Sequence, residues 1–204
     1  MENTVKLIIC DTEGVSWEKA ENLPFITLED KKSAAEHKDE KKRVARLVSA
    51  YLKRKYVGEW ETTENGKPVA KGKFFNVSHC ENAVVIAIAD GDIGVDAEKV
   101  RTVNKSLIQY VATEEEYVRI YSDVEFFEVW TLKESLVKAQ GDGVRENVKA
   151  IPSFPKNGVK TYKGEKYFSQ LLVKGDLIIA VTRKGETPFT VQSRPEELFY
   201  GADE

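Results

Sequence analysis

Two short segments of the sequence carry residues whose types and spacing could bind a metal ion and a phosphate group. Asp96 and Glu98 alternate across one residue, so on an extended strand both carboxylates project to the same side and can share a hard cation. Glu134 and Lys138 are four residues apart, which on a helix places a carboxylate and an ammonium one turn apart, on the same stripe as Trp130. Together the segments predict one metal-phosphate site divided between a strand and a helix.

Without its sequence context, the pair of Asp96 and Glu98 is weak evidence for a metal site. Asp and Glu occupy 34 of 204 positions, so two acids separated by one residue arise by chance about six times in such a chain. The apolar run Ile93-Gly94-Val95 directly precedes Asp96, which is typical of the end of a buried strand. An acid at such a strand end points into a cleft.

Four motifs occur in order along the chain. They are Gly66-Lys67-Pro68, Phe75-Asn76-Val77-Ser78-His79, Gly94-Val95-Asp96-Ala97-Glu98, and Trp130-Thr131-Leu132-Lys133-Glu134-Ser135 followed by Lys138. Together they resemble the signature of the 4'-phosphopantetheinyl transferase superfamily. The length favours its surfactin-synthetase-activating (Sfp-type) branch, because the holo-acyl-carrier-protein synthase branch has about half this length. Many relatives carry Lys-Glu-Ala where this chain has Lys133-Glu134-Ser135, but serine also occurs in the surfactin-type branch.

The resemblance implies roles for the charged residues. Asp96, Glu98 and Glu134 would bind Mg²⁺, with Mn²⁺ as an alternative, and Glu134 would also accept a proton from the attacking serine. Lys138 would neutralise charge on the phosphate or hold the hydroxyl, and Lys133 would support it unless it is a surface lysine. Trp130 is expected to be a packing anchor for the helix.

The resemblance also implies a set of coenzyme A contacts. Arg43, near the start of a basic helix and assisted by Lys41 or Lys42, would hold the 3'-phosphate. His79 would contact another phosphate, with a purely structural histidine as the alternative. The full set implied to bind coenzyme A is Arg43, Gly66, Lys67, Pro68, Ser78, His79, Lys133 and Lys138.

The implied activity is transfer of 4'-phosphopantetheine from coenzyme A to a serine of an apo carrier protein, either acyl, polyketide or peptidyl, with release of adenosine 3',5'-bisphosphate. A catalytically silent module that binds coenzyme A or a carrier protein is the alternative. A Mg²⁺-dependent phosphoesterase would need the acids, but it would explain neither Arg43 nor the Gly66-Lys67-Pro68 motif.

The expected fold is α+β, a pseudo-dimer of two similar halves, each a small, mostly antiparallel sheet packed with a long helix. A faint internal repeat supports this, because residues 82–91 and 176–185 share an apolar strand pattern that closes on a Gly turn. We place the coenzyme A-binding half at residues 1–97 and the metal and catalytic half at residues 98–204. The site then lies at the boundary between the two halves.

Local signals place several elements. Thr113 followed by Glu116 predicts a capping box, Asp123 is the predicted N-cap of the long helix, and Gly141 is its predicted stop. The tail from residue 193 to 204 is polar, and we assign it no function. In the basic segment, 31–55, helical spacing predicts one buried face, formed by Val44, Leu47, Val48, Tyr51 and Leu52.

Composition sets the remaining expectations. With 41% apolar and 32% charged residues, the chain should be a globular monomer. The net charge of -3 argues against nucleic-acid binding, and no apolar run approaches the roughly 20 residues that span a bilayer. The first residues lack the features of a secretory signal, and Cys10 and Cys80 have no metal-ligand spacing. We therefore expect a cytoplasmic protein with no membrane partner.

Overall fold

The computed structural model describes residues 3–62, 68–141 and 147–198. Its strands are β1 (Thr4–Asp11), β2 (Glu61–Thr62), β3 (Pro68–Val69), β4 (Phe74–Cys80), β5 (Ala83–Ala89), β6 (Ile93–Lys99), β7 (Gly158–Tyr162), β8 (Glu165–Lys174), β9 (Leu177–Lys184) and β10 (Thr190–Glu196). Its helices are α1 (Trp17–Glu21), α2 (Leu28–Ala35), α3 (Glu40–Tyr56), α4 (Lys105–Val111), α5 (Glu114–Tyr117) and α6 (Asp123–Gln140), with a 3-10 turn at Val148–Ala150.

The first large sheet has the strand order β10-β1-β5-β4, in which only the β1–β10 pair is parallel. Helix α3 covers one face of this sheet with the five apolar residues predicted from the helical spacing, all of which are buried. The basic segment does not form a single helix, because α2 ends at Ala35 and α3 starts at Glu40 after an Asp39 cap. The start of the long helix is therefore determined by its N-cap residue, Asp39, rather than by the pattern of basic residues.

The second large sheet has the order β6-β9-β8-β7 and is antiparallel throughout. Helix α6 covers one face of it, and the residues between them form a core with Phe126, Phe127 and Leu136. Strand β6 lies at one edge of this sheet, where it pairs with β9 alone. The strand that carries the acidic pair is thus open on one side.

The two sheets pack face to face between the two long helices. In β1, Ile8 and Cys10 face α3, whereas Val5 and Leu7 face the second sheet. This alternation follows from the two-residue period of a strand, and it gives both faces of the central strands an apolar cover. The result is an arrangement of helix, sheet, sheet and helix.

The predicted α+β class with two mostly antiparallel sheets is confirmed. The repeat segments become β5 and β9, each an inner strand of its sheet. The predicted boundary between residues 97 and 98, however, falls inside β6, which pairs along its length within the second sheet. Strand β10 also returns to the first sheet from the far end of the chain.

The local signals are confirmed at two of three positions. Thr113 and Glu116 form the predicted capping box, and α6 ends at Gly141 in the left-handed conformation. The N-cap of α6 is Ser122 instead of Asp123, because the Ser122 side chain accepts from the amide of Glu125. The Asp123 carboxylate instead accepts from the amide of Val103 at 3.1 Å.

None of the helices in the described part of the chain combines the length and the apolar character that crossing a membrane requires.

Candidate active site

Helix α6 lies directly on the backbone of β6, and a glycine makes this approach possible. A Cβ atom built on Gly94 would lie 2.1 Å from the carbonyl oxygen of Ser135 and 2.3 Å from the amide nitrogen of Ala139. Any side chain at Gly94 would therefore push the helix away from the strand. The close contact brings Lys138, on the last turns of α6, over the carboxylate of Asp96.

Asp96, Ser78 and Lys138 form a hydrogen-bonded group that we call the cleft cluster. The Lys138 ammonium donates to Asp96 Oδ1 at 2.7 Å and to Ser78 Oγ at 3.1 Å, and the Ser78 hydroxyl donates to Asp96 Oδ1 at 2.8 Å. The Asp96 side chain is only 7% exposed, whereas Lys138 keeps 28% of its side-chain surface in contact with solvent. A buried carboxylate and an accessible cation thus sit together at the junction of β4, β6 and α6.

Glu134 lies one turn before Lys138 on α6 and is half-buried beside the cleft cluster. Burial raises the pKa of the Glu134 carboxyl above its ordinary value, and the negative charges of Asp96 and Glu98 raise it further. The Lys138 ammonium opposes this rise. A carboxylate whose pKa is raised in this way is a stronger proton acceptor than an ordinary glutamate.

Two side chains donate hydrogen bonds to the Glu98 carboxylate. Arg101 NH1 donates to Glu98 Oε2 at 2.9 Å, and the indole N–H of Trp130 donates to Glu98 Oε1 at 3.3 Å. Trp130 also packs against the core beneath α6, as the sequence predicted. Its hydrogen bond to Glu98 is a second role that the sequence did not indicate.

The residues of this site fit a magnesium ion only in part. Across the described ranges, no group of three or more His, Cys, Asp and Glu side chains is gathered closely enough to hold a metal ion. Asp96 Oδ2 is nevertheless buried, and none of the described residues forms a hydrogen bond with it, a condition that is rare for a buried oxygen. Because Mg²⁺ is commonly held by one or two carboxylates plus substrate phosphates and water, Asp96 with Glu134 suits an ion shared with a phosphate ligand.

A cleft of about 550 Å³ opens beside the cleft cluster. His79, next to Ser78 on β4, lies on its wall with an exposed side chain. Withdrawal of part of the ring from water lowers the pKa of His79, and the positive charges of Lys138 and Arg46 lower it further. A neutral His79 can still donate one hydrogen bond to a phosphate oxygen. The cleft is lined by Asp39, Lys41, Lys42, Ala45, His79, Cys80, Glu81, Glu98 and Arg101.

Two arginines of α3 differ in their surroundings. Arg43, the one that the sequence indicated, has its guanidinium 5.5 Å from the centre of the Trp17 ring, and its buried Nε has no hydrogen-bond partner among the described residues. Arg46 is exposed and close enough to His79 for its charge to lower the pKa of that ring. Arg46 follows Lys42 by one helical turn, and this spacing could have identified it.

Lys133 is neither a surface lysine nor part of the cleft cluster. Its side chain is fully buried, and its ammonium lies 2.8 Å from Glu116 Oε2 and donates to the carbonyl oxygens of Val111 and Val148. Burial lowers the pKa of Lys133, and the Glu116 carboxylate opposes this. The predicted coenzyme A contact is wrong for this geometry, because every bond of the ammonium points into the core beneath α6.

The predicted adenine segment is described only at its end. Gly66 and Lys67 lie outside the described residues, and Pro68 begins the short strand β3, which pairs with β2. Cys80 lies in the cleft wall, where burial raises the pKa of its thiol to about 11, with Glu98 and Asp96 adding to the rise. Its thiol is therefore protonated and unreactive near neutral pH.

The part of the chain that carries β6 and α6 matches a known protein family. Residues 92–182, from just before β6 into β9, match the model of the 4'-phosphopantetheinyl transferase superfamily. This region contains Asp96, Glu134 and Lys138, and its match confirms the resemblance drawn from the motifs.

Individual relatives give the same result. The chain is 35% identical over 88 residues to the 4'-phosphopantetheinyl transferase gsp of Aneurinibacillus migulanus, covering 40% of this chain and 37% of the relative. It is 31% identical over 94 residues to psf-1 of Bacillus pumilus, covering 42% and 40%, and 32% identical over 101 residues to HetI of Nostoc, covering 42% and 43%. The alignments thus cover about two fifths of each of these curated relatives.

Proposed function

We propose that this protein transfers the 4'-phosphopantetheine group from coenzyme A to a serine hydroxyl of an apo carrier protein. The observation that carries the proposal is the cleft cluster beside Glu134, where a buried acid with a free oxygen, an accessible ammonium and a carboxylate of raised pKa meet. The superfamily match over residues 92–182 supports it.

The reaction forms a bond between the serine oxygen and the phosphorus that carries the pantetheine arm. The bond from that phosphorus to the bridging oxygen of the pyrophosphate breaks, and adenosine 3',5'-bisphosphate leaves. Glu134 takes the serine proton, a task suited to a carboxyl of raised pKa. Lys138, already paired with Asp96, neutralises charge on the phosphate oxygens in the transition state.

Asp96 and Glu134 are the residues proposed to hold Mg²⁺, and Glu98 joins them only if it leaves Arg101 and Trp130. The ion, when bound, supplies Lewis-acid polarisation of the pyrophosphate and offsets its charge. The free Asp96 oxygen supports this assignment. The role of Glu98 stays a prediction.

The cleft between α3 and β4 is proposed to receive the nucleotide part of coenzyme A. Lys42 and His79 line this cleft, and Arg46 is close enough to His79 for its charge to act there. Such donors and positive charge suit phosphate groups. Lys41 is engaged with Glu81 at 2.7 Å, but both side chains are more than half exposed. Such an exposed pair is weak, so Lys41 can exchange Glu81 for a phosphate.

The test is the intact mass of apo carrier proteins, one acyl and one peptidyl, after incubation with the protein, coenzyme A and Mg²⁺. We expect a gain of one phosphopantetheinyl group, which the Asp96→Ala variant and a chelator both abolish. Glu165→Ala is the matched control, because this carboxylate is 53% exposed on β8 and pairs with Lys184, away from the cleft cluster. It should leave the rate unchanged.

The alternative is a catalytically silent module that binds coenzyme A or a carrier. In that case neither carrier would gain mass, while calorimetry would still detect coenzyme A binding that Arg46→Ala weakens. Equal activity of the Asp96→Ala variant and the native chain would remove the cleft cluster from the reaction.

A further inference from the structure

Side chains from β4 close the free edge of strand β6. An edge strand leaves alternate backbone groups without a strand partner, and in β6 these include the amides of Val95 and Ala97. Asn76 Oδ1 accepts from the Val95 amide at 3.0 Å, and Ser78 Oγ accepts from the Ala97 amide at 3.3 Å. Each of these buried amides is therefore satisfied by a side chain of the first sheet.

The match depends on the two-residue period that both strands share. Asn76 and Ser78 are buried on the face of β4 opposite Phe75 and Val77, which pack into the core under α3. Two side chains spaced by two residues on β4 therefore accept hydrogen bonds from two amides spaced by two residues on β6. We call this pair of hydrogen bonds the side-chain ladder.

The hydroxyl of Ser78 uses its whole hydrogen-bonding capacity within the cleft cluster. It donates to Asp96 Oδ1 at 2.8 Å and accepts from the Ala97 amide and from the Lys138 ammonium. A hydroxyl has one donor and two acceptor lone pairs, so nothing is left for a phosphate oxygen. The predicted contact between this side chain and coenzyme A does not fit the geometry.

We propose that Asn76 and Ser78 are positioning residues, which brace β6 against β4 and so fix Asp96 beside Lys138. The proposal rests on the proposed transferase function for its kinetic consequences, but the ladder can be tested without activity. In this proposal, the consecutive residues Ser78 and His79 have different tasks. The buried hydroxyl orients the carboxylate, and the exposed ring faces the cleft.

Amide hydrogen exchange of the ¹⁵N-labelled, chelator-treated protein tests the ladder directly. Relative to the Ile179 amide in β9, Asn76→Ala should speed exchange of the Val95 amide by about tenfold or more, and Ser78→Ala should do so for the Ala97 amide. Ser169→Ala is the control, because it removes an equally buried hydroxyl, bonded to Thr182 at 2.9 Å. Unchanged exchange at Val95 and Ala97 in the two ladder variants would overturn the proposal.

Kinetics separate positioning from direct contact with coenzyme A. Well below their melting temperatures, Asn76→Ala and Ser78→Ala should lower kcat by about tenfold or more and leave the KM for coenzyme A within about threefold. Ser78→Thr keeps the hydroxyl and should recover part of kcat. A raised KM with unchanged kcat in Ser78→Ala would assign the serine to coenzyme A instead. If the native chain transfers to no carrier, the proposed function fails, and amide exchange still decides the ladder.

Discussion

Two clusters of the same chemistry lie on different faces of α6, and they differ in how completely their hydrogen bonds are used. The cleft cluster consists of Asp96, Ser78 and Lys138. The second, which we call the core cluster, consists of Glu116, Ser153 and Lys133. Each contains a carboxylate, a serine hydroxyl and a lysine ammonium.

The core cluster is saturated. Glu116 accepts from Ser153 through Oε1, and from Lys133 and the amide of Thr113 through Oε2. Lys133 has no exposed surface and also donates to two backbone carbonyls. Its bonds join α4, α5, the 3-10 turn and α6, so its role is to hold these segments together.

The cleft cluster is unsaturated. No described residue forms a hydrogen bond with Asp96 Oδ2, and 28% of the Lys138 side-chain surface is exposed to solvent. Burial of a polar oxygen without a partner costs free energy, and a ligand that supplies the partner recovers it. The comparison teaches that residue types alone do not distinguish the two clusters, whereas their unused hydrogen-bonding capacity does.

The largest expected stability effect is in the core cluster. Lys133→Ala leaves the buried Glu116 carboxylate unpaired and should lower the free energy of unfolding by about 3–5 kcal/mol. Lys138→Met should lower the free energy of unfolding by less, about 1–2 kcal/mol, because water and Mg²⁺ can reach the carboxylates of Asp96 and Glu134. Urea unfolding with and without Mg²⁺ measures both.

A matched double variant controls for the loss of side-chain volume. Lys133→Met combined with Glu116→Leu replaces the buried pair by apolar groups and should recover most of the stability. If Mg²⁺ rescued Lys133→Ala as well as Lys138→Met, the two clusters would not differ as described.

A smaller stability effect is expected where α6 meets β6. Gly94→Ala places a Cβ atom within 2.1 Å of a backbone oxygen of α6, so the helix must shift, at a cost of about 1–3 kcal/mol. The shift moves Lys138 away from Asp96, so activity should fall by more than the loss of stability alone explains. Gly91→Ala is the control, since its Cβ would meet only the Arg183 side chain, at 3.3 Å. Equal effects of the two variants on activity would contradict this reading.

The smallest effect concerns the ionisation of Glu134. The pKa of Glu134 is raised in the folded chain. Between the pKa of the unfolded chain and that of the folded chain, the metal-free folded protein therefore keeps a proton that the unfolded chain has released. The free energy of unfolding falls as the pH rises through this range. Carboxyl NMR titration in a chelator should show this pKa lowered by Asp96→Asn and raised by Lys138→Met. Glu134→Gln should remove the corresponding pH dependence of unfolding. A pKa of Glu134 at its ordinary value would contradict the proposed proton acceptor.

The sequence predicted the parts of the site that depend on local spacing. Asp96, Glu134 and Lys138 were identified because periods of two and four fix which side chains share a face. Lys133 was predicted to be a coenzyme A contact or a surface lysine. Its burial was not predicted, because this stripe of α6 is buried only where α5 and the 3-10 turn cover it, and no local pattern indicates that contact.

Long-range contacts explain the other differences. The β10 strand pairs with β1 across almost the whole chain, and its polar, exposed residues give no alternating apolar signal. The side-chain ladder also joins distant strands, so the Asn-x-Ser spacing of β4 looked like a ligand-binding motif alone. The boundary predicted between residues 97 and 98 divides β6, because the strand's pairing with the distant β9 has no local signal in the sequence.

The most direct test of the central claim compares the two clusters in one assay. The rate of mass gain on an apo carrier protein should be measured for Lys138→Met and for the Lys133→Met, Glu116→Leu double variant, both folded at the assay temperature. We expect Lys138→Met to lose about 10²- to 10³-fold in kcat, and the double variant to stay within about tenfold of the native chain. An active Lys138→Met beside an inactive double variant would contradict the assignment of chemistry to the unsaturated cluster.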